Sequence, residues 1–241
     1  MFVSISAALA VLAAAQTSPA AASDPLETSV VALATRFEDS YQACGLEPLF
    51  SPRVAVETNP SLVSYDFASR TMRTARYEEL PEPIQGLMSA WAEAAGAADG
   101  AALFGDIFNS LLVPHEMGHW TQHLSRRAIT LDRWESEVEA NRIALAFWRL
   151  DPEDAARLPA RVEAFTGFLG QIPSPVPEGQ VARDYFNANY DSLDAMQYGW
   201  FQGAFMREAW ERRDEADFCG LARLNTPAPA EAFEGDPQPE A

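Results

Sequence analysis

All three histidines of the chain lie in one short stretch, from His115 to His123. His115, Glu116 and His119 form the pattern H-E-x-x-H within the segment SLLVPHEMGHW. On a helix, residues four apart share one face, so both imidazoles can bind one metal ion. Glu116 projects from an adjacent position and can reach a water beside that metal, as the general base of a hydrolase does. The spacing therefore predicts a catalytic zinc site on this helix.

A catalytic zinc needs a third protein ligand, and the histidines do not supply it. Metzincins have a third His and a Gly bend at the positions that Ser125 and Gln122 occupy here, which excludes that class. His123 lies about 12 Å along the helix from His115, too far to share one metal ion. We interpret His123 as a residue that packs beside the site or supports a ligand, and we look for a carboxylate.

The downstream segment LDRWESEVEANRIALAFWRL offers that carboxylate. Asp132 and Glu135 have the spacing of a capping box, which begins a helix at Arg133 and engages Glu135 with backbone amides. Glu137 and Asn141 then lie four apart on one face, beside an apolar stripe. A carboxylate in an apolar interface is costly unless it is paired or metal-bound. We predict Glu137 as the third ligand and Asn141 as a hydrogen-bond partner of a ligating His.

The motif HEMGH followed by ESEVEANRIA resembles the gluzincin metallopeptidases, in which H-E-x-x-H precedes an E-x-x-x-D on an adjacent helix. The short spacer is similar to that of thermolysin-like and aminopeptidase-type members, and E-x-E-A-N is similar to the E-x-x-A-D of Ste24/HtpX-type peptidases. The resemblance covers Leu112 to Leu145. It also implies that the strand at 70–77 is an edge strand that holds extended substrate by strand addition. Asn141 in place of Asp, and Pro114 before the motif, depart from the family pattern.

The resemblance implies a zinc-dependent peptidase in which Glu116 takes a proton from the attacking water. A tetrahedral oxyanion also needs a hydrogen-bond donor, and no His follows His123, so a Tyr or Arg must serve. The segment DYFNANYDSLDAMQYGWFQ contains Tyr185, Tyr190 and Tyr198, of which we favour Tyr198. The alternative is that these aromatic residues pack the core of the last helix.

Composition limits the partners. Acidic residues number 35 and basic residues 17, so the net charge is −18, and every basic residue is Arg. Such a surface repels polyanions and excludes nucleic-acid binding of the usual kind. We expect a peptide or protein substrate, with a mild preference for basic peptides. The main alternative is a catalytically inactive zinc-binding protein of the same fold that attracts cationic partners through its charge.

Both ends of the chain suggest an exported protein, periplasmic or extracellular. Residues 2–15 are uncharged and have the length of a signal-peptide core, which predicts a signal peptide at 1–22 and no membrane insertion after its cleavage. A buried N-terminal helix is the alternative interpretation. Cys44 and Cys219 permit one disulfide, although two free thiols are also possible. Residues 226–241 are rich in Pro, Ala and Glu, which predicts a disordered acidic tail.

The elements between these ends predict one mostly helical α+β domain over residues 24–225, with a small sheet near its N-terminal side. Apolar residues spaced by three or four predict the first helix, and β-branched and aromatic segments divided by breakers predict a small meander. The predicted helices are 25–44, 84–98, 101–124, 133–150, 152–170 and 184–214, and the predicted strand segments are 53–58, 61–67 and 70–80.

Overall fold

The computed structural model describes residues 24–58 and 61–225. The predicted signal peptide and the predicted acidic tail lie outside these residues. Among the described helices, none combines the length and the hydrophobicity needed to cross a membrane.

The fold is mostly helical with one small mixed sheet, as the sequence predicts. The sheet comes early in the chain, after the first helix, and helices make up most of the remainder. The elements are α1 (Pro25–Ala43), β1 (Arg53–Val56), β2 (Val63–Asp66), β3 (Thr71–Thr74), α2 (Glu82–Ala95), α3 (Gly100–Asp106), α4 (Val113–Leu124), α5 (Arg127–Thr130), α6 (Arg133–Trp148), α7 (Pro152–Leu169), α8 (Ala182–Asn189), α9 (Ala195–Glu211) and α10 (Phe218–Leu224).

The sheet has the order β1-β3-β2. Met72 of β3 pairs with Val54 of the parallel strand β1 and with Tyr65 of the antiparallel strand β2. The strand at 70–77, which we expected at the edge, is therefore the central one. A tight turn at Arg70, with a φ of 53°, folds β3 back against β2. Because β1 and β2 are not paired with each other, β3 lies between these two strands. The edge strand that packs on α4 is β2.

Helix α1 forms where the apolar periodicity predicts it. Asp24 caps its first turn by accepting a hydrogen bond from the backbone N–H of Leu26 at 3.1 Å. Its buried stripe includes Phe37 and Tyr41, whose rings lie 6.3 and 5.4 Å from that of Trp120. These aromatic contacts fix α4 from behind, so α1 supports the helix that carries the histidines.

The helix predicted at 101–124 is divided into two. After α3 the chain makes one π-helical turn, Ile107–Leu111, in which the N–H of Leu112 donates to the carbonyl of Ile107 at 2.9 Å. Helix α4 then begins, with Pro114 in its first turn. Proline has no N–H to donate, but the N–H groups of the first helical turn have no partner within the helix. Pro114 is therefore compatible with a helix that begins just before the H-E-x-x-H motif.

Helix α6 begins at Arg133 as predicted. Asp132 accepts from the backbone N–H of Glu135 at 2.8 Å. The second half of the predicted capping box is replaced, because the carboxylate of Glu135 accepts from Arg183 and Arg212 at 3.3 and 3.4 Å. Hydrogen bonds to a charged guanidinium are stronger than those to a neutral amide, so the carboxylate turns toward the arginines.

The helix predicted at 184–214 is also divided, into α8, a 3-10 turn and α9, because Asp194 and Gln197 form a capping box that begins a new helix. Sequence periodicity misses α10, which is only seven residues long.

The predicted disulfide is present: Cys44, at the end of α1, is bonded to Cys219 in α10, with their Cα atoms 5.3 Å apart. The disulfide therefore ties the last described helix to the first.

Candidate metal centre

Helices α4 and α6 are packed closely at one glycine. A Cβ atom added to Gly118 would lie 2.9 Å from the Cα and 3.0 Å from the carbonyl oxygen of Ala140, closer than real Cβ atoms approach. Only a residue without a side chain allows this approach. Because Gly118 lies in the middle of the H-E-x-x-H motif, the contact brings the two histidines of α4 to the carboxylate of α6.

His115, Glu116 and His119 form a group that can hold a metal ion, with their ligand atoms within 4.8 Å of one another. Oε2 of Glu137 lies 3.4 Å from Nε2 of His115 and 3.7 Å from Nε2 of His119. A tetrahedral zinc ion with bonds of about 2.0–2.1 Å separates its ligand atoms by about 3.3–3.4 Å. Both distances from Glu137 are close to that spacing, so Glu137 lies beside the group that can hold a metal ion.

The electrostatics of the ligand group couple its members. Burial opposes ionisation of Glu137, but the charges and hydrogen bonds of His119 and His115 outweigh it and hold the pKa of Glu137 well below its usual range. Burial alone would lower the pKa of His119, yet Glu137 and Glu116 together raise it to about 9. The buried carboxylates and the imidazoles thus stabilise each other's charged forms, and metal binding at these groups competes with protons.

Glu116 is the second buried carboxylate of the site, with 6% of its surface exposed. Burial raises its pKa above the usual range, against the lowering effect of the nearby histidines and of the backbone N–H of Tyr65 in β2. A carboxylate whose pKa is shifted toward neutrality is better suited to accept and return a proton than an exposed one.

Gln122 orients one of the histidines. Its Oε1 accepts from Nδ1 of His119 at 2.9 Å and from the hydroxyl of Ser136 at 2.9 Å, while its Nε2 donates to the carbonyl of Ser136 at 2.9 Å. This arrangement puts the proton of His119 on Nδ1 and leaves Nε2 for a metal. Sequence reasoning used Gln122 only to exclude the metzincin pattern. Its spacing of three from His119 was the signal that could have identified it.

A buried polar network supports Gln122 from behind. Glu139, 4% exposed, accepts a two-pronged contact from Arg127 at 2.6 and 3.1 Å. The same carboxylate accepts from Gln122 at 3.4 Å and from Asn225 at 3.1 Å. Through Asn225, which follows α10, the network connects His119 to the helix that the disulfide holds in place.

Asn141 does not form the hydrogen bond that the sequence predicts. Its Nδ2 donates to the backbone carbonyl of Glu137 at 3.1 Å, so the side chain lies along α6 instead of reaching a histidine of α4. Within the part of the chain that the structure describes, the buried atoms Oδ1 of Asn141 and Nδ1 of His115 have no hydrogen-bond partner. The imidazoles of His115 and His119 are thus supported unequally.

His123 lies outside the ligand group. Its Nδ1 is 2.9 Å from the hydroxyl of Tyr65, and its ring lies 5.2 Å from those of Phe50 and Phe67. It joins α4 to the edge strand β2. This position agrees with the packing role that its distance from His115 indicates.

The three candidate tyrosines differ in their position relative to Glu137. The hydroxyl of Tyr198 donates to Oε1 of Glu137 at 3.1 Å, and the Tyr190 ring lies 6.0 Å from the Tyr198 ring. Tyr185 stacks on Phe201, 6.3 Å away, and belongs to the packing of α8 on α9. Burial raises the pKa of Tyr198 well above its usual value, so its hydroxyl stays protonated and can donate.

The sequence did not predict the contact of Gln202 with the site. Its Nε2 donates to Oε2 of Glu137 at 3.1 Å, one turn after Tyr198 on α9. The spacing of four between these residues was the available signal. Helix α9 thus holds both oxygens of the carboxylate that faces the histidines.

A cavity of about 1490 Å³, bordered by β2, α2, α7 and the start of α9, is lined by His115, Glu116, His119, Glu137 and Tyr198 among others. Comparison of the chain with known family models, with curated proteins and with solved structures gives no match. Its function is therefore to be inferred from the chemistry of the site: a buried cluster of two imidazoles and two carboxylates, able to hold a metal ion, in a large cavity.

Proposed function

We propose that the protein is a zinc-dependent peptidase of the gluzincin type, with His115, His119 and Glu137 as metal ligands and Glu116 as general base. One observation carries the proposal. Oε2 of Glu137 lies 3.4 and 3.7 Å from the two Nε2 atoms, close to the spacing that a tetrahedral metal imposes on its ligands.

The donor set favours zinc over harder cations. Two imidazole nitrogens and one carboxylate oxygen form the ligand set of hydrolytic zinc enzymes, whereas Mg²⁺ and Ca²⁺ prefer oxygen ligands alone. The fixed tautomer of His119 also suits a metal, because its hydrogen bond to Gln122 leaves Nε2 to coordinate. A hydrolytic zinc site keeps a further position for water, and the site opens on a cavity that can admit one.

When bound, zinc supplies an electrophile that polarises the substrate carbonyl and lowers the pKa of the attacking water. Glu116 accepts one proton from that water as its oxygen forms a bond to the carbonyl carbon. Glu116 then gives this proton to the amide nitrogen as the C–N bond breaks, which regenerates the carboxylate. The hydroxyl of Tyr198 donates to Oε1 of Glu137 in the structure, and we propose that it exchanges this acceptor for the developing oxyanion when substrate is bound.

We propose export to an oxidising compartment, periplasmic or extracellular. The disulfide between Cys44 and Cys219 supports this, since such bonds persist outside the reducing cytosol. The substrate is a peptide or protein, and the net charge of −18 disfavours nucleic acid.

The test compares the purified wild-type protein with Glu116→Gln, an isosteric change that removes the base. We expect one zinc per chain in both proteins. The wild type should cleave peptides from a diverse library, and the activity of the variant should be at least about 100-fold lower. Glu93→Gln, on the exposed face of α2, is the matched control and should retain full activity. One bound zinc with no cleavage by either form would refute the peptidase. Absence of any metal would refute the site itself.

The second candidate function is an inactive zinc-binding protein. It is favoured by the unpartnered Nδ1 of His115, since metal-ligating histidines usually donate this proton to a fixed acceptor. The buried Glu116 favours the peptidase, because a purely structural zinc site has no use for a further carboxylate beside its ligands. The comparison of wild type with Glu116→Gln distinguishes the two.

A further inference from the structure

The cavity extends away from the metal ligands into an apolar compartment between α2 and α7. Every residue that these two helices contribute to its wall is apolar, including Ile84, Leu87, Phe165 and Leu169. The whole cavity, about 1490 Å³, exceeds the range of about 300–1,000 Å³ that holds a drug-sized ligand. The cavity as a whole thus has room for more than one bulky side chain.

An aromatic cluster forms part of the wall of this compartment. The ring of Trp91 stacks on that of Phe168 with centroids 4.0 Å apart, and it lies 6.4 Å from that of Phe108. The indole N–H of Trp91 donates to the carbonyl of Ala164 at 3.2 Å, so its one polar atom is already engaged within the protein. This wall therefore favours an apolar group and offers a charged one no partner.

The same cavity has exposed apolar residues near its opening. Phe67, Ile129 and Met196 line the cavity and are 40%, 73% and 47% exposed. Exposed large hydrophobic residues around a cavity are typical of a binding surface. An apolar segment of a substrate that extends from the compartment toward the surface therefore stays in contact with apolar residues of the protein.

Another part of the cavity wall can bind a polypeptide backbone. Val63, Ser64 and Tyr65 of β2 line the cavity, and within the described sheet β2 pairs on one side only. An edge strand offers N–H and C=O groups that an extended peptide can pair with, whereas an acyl chain has no groups to use them. A peptide can therefore use both the apolar compartment and the edge strand β2, whereas a lipid can use only the compartment.

We infer that the substrate is an extended polypeptide that places two or more bulky apolar side chains in the compartment between α2 and α7. This inference rests on the proposed function and names its substrate class. It departs from the basic preference expected from net charge, because a Lys or Arg side chain in this compartment would lose its hydration without gaining a partner.

The test uses three internally quenched peptides of equal length and identical flanks. The central residues are Leu and Phe in the first peptide, Gln and Asn in the second, and Lys in the third. We expect kcat/KM for the Leu and Phe peptide to exceed that of both others by about 100-fold, since burial of each large apolar side chain contributes about tenfold or more. Leu87→Glu should lower the rate for the apolar peptide at least tenfold and raise that for the Lys peptide. Leu150→Glu, at an exposed leucine outside the cavity, is the matched control and should change neither.

Binding of the same peptides to zinc-loaded Glu116→Gln, measured by fluorescence anisotropy, separates this inference from the proposed function. Active enzyme with equal kcat/KM for all three peptides would overturn the inference and leave the peptidase intact. If no peptide is cleaved, the peptidase fails, and tighter binding of the apolar peptide alone would still support the inference. Equal binding of all peptides, or tighter binding of a long-chain fatty acid than of any peptide, would overturn it.

Discussion

Replacing Gly118 by Ala should weaken metal binding as well as the fold. The added Cβ would lie 2.9 Å from the Cα of Ala140, and ordinary contact begins at 3.4 Å. Helices α4 and α6 must therefore separate locally by the difference, 3.4 − 2.9, or about 0.5 Å. The histidines lie on one of these helices and Glu137 on the other, so the ligands separate with them.

The substitution has two separate effects, one on stability and one on zinc affinity. Overpacking costs about 1–3 kcal/mol, and alanine recovers about 1 kcal/mol of helix propensity relative to glycine, so the free energy of unfolding should fall by about 0–2 kcal/mol. Metal–ligand distances tolerate only about 0.2 Å of displacement. A shift of about 0.5 Å exceeds this tolerance, and we expect zinc affinity to fall at least about tenfold.

The assay pairs a zinc titration by calorimetry with chemical denaturation of the metal-free protein. Gly86→Ala in α2 is the matched control, because a Cβ there would meet nothing within 4 Å. That change should stabilise the protein by about 0.5–1 kcal/mol and leave zinc affinity unchanged. Gly118→Ala with wild-type zinc affinity would refute the argument that this contact positions the ligands.

Three further changes test the supports of the site. Replacing Cys44 and Cys219 by Ser opens a loop of 175 residues and should lower the free energy of unfolding by up to about 5 kcal/mol in urea denaturation, and an unchanged midpoint would contradict the tether. Gln122→Leu removes the acceptor for Nδ1 of His119 and should lower zinc affinity about 10- to 100-fold, whereas an unaltered titration would show that the ring needs no such support. Tyr198→Phe should lower kcat about 100-fold or more with little change in KM if its hydroxyl donates to the oxyanion, and an unchanged kcat would remove it from that role.

The sequence was most informative where local rules act. The shared face of His115 and His119 follows from helix periodicity and the cap at Asp132 from a local sequence pattern. The structure brings the two histidines and Glu137 together. The pairing of the disulfide was also predictable, because a chain with two cysteines permits only one, whereas the alternative of two free thiols was decided by the structure. These features depend on a few residues close in sequence or on simple counting.

Other features depend on contacts between distant segments. The central position of β3 follows from how the turn at Arg70 folds back, which alternation of apolar residues does not encode. Asn141 was predicted to reach a histidine but bonds its own helix, since the preceding turn offers a nearer acceptor. The contact of Gln122 with Glu139 joins two helices, α4 and α6, and no spacing rule within one segment identifies it.

The central claim is that Glu137 completes a zinc site with His115 and His119. Its most direct test is calorimetric titration of zinc into the metal-free wild type and into Glu137→Gln, which preserves shape and removes the charge. We predict one zinc per wild-type chain and an affinity at least about 100-fold lower in the variant. Equal affinity for zinc in the two proteins, or no zinc binding by the wild type, would contradict the claim.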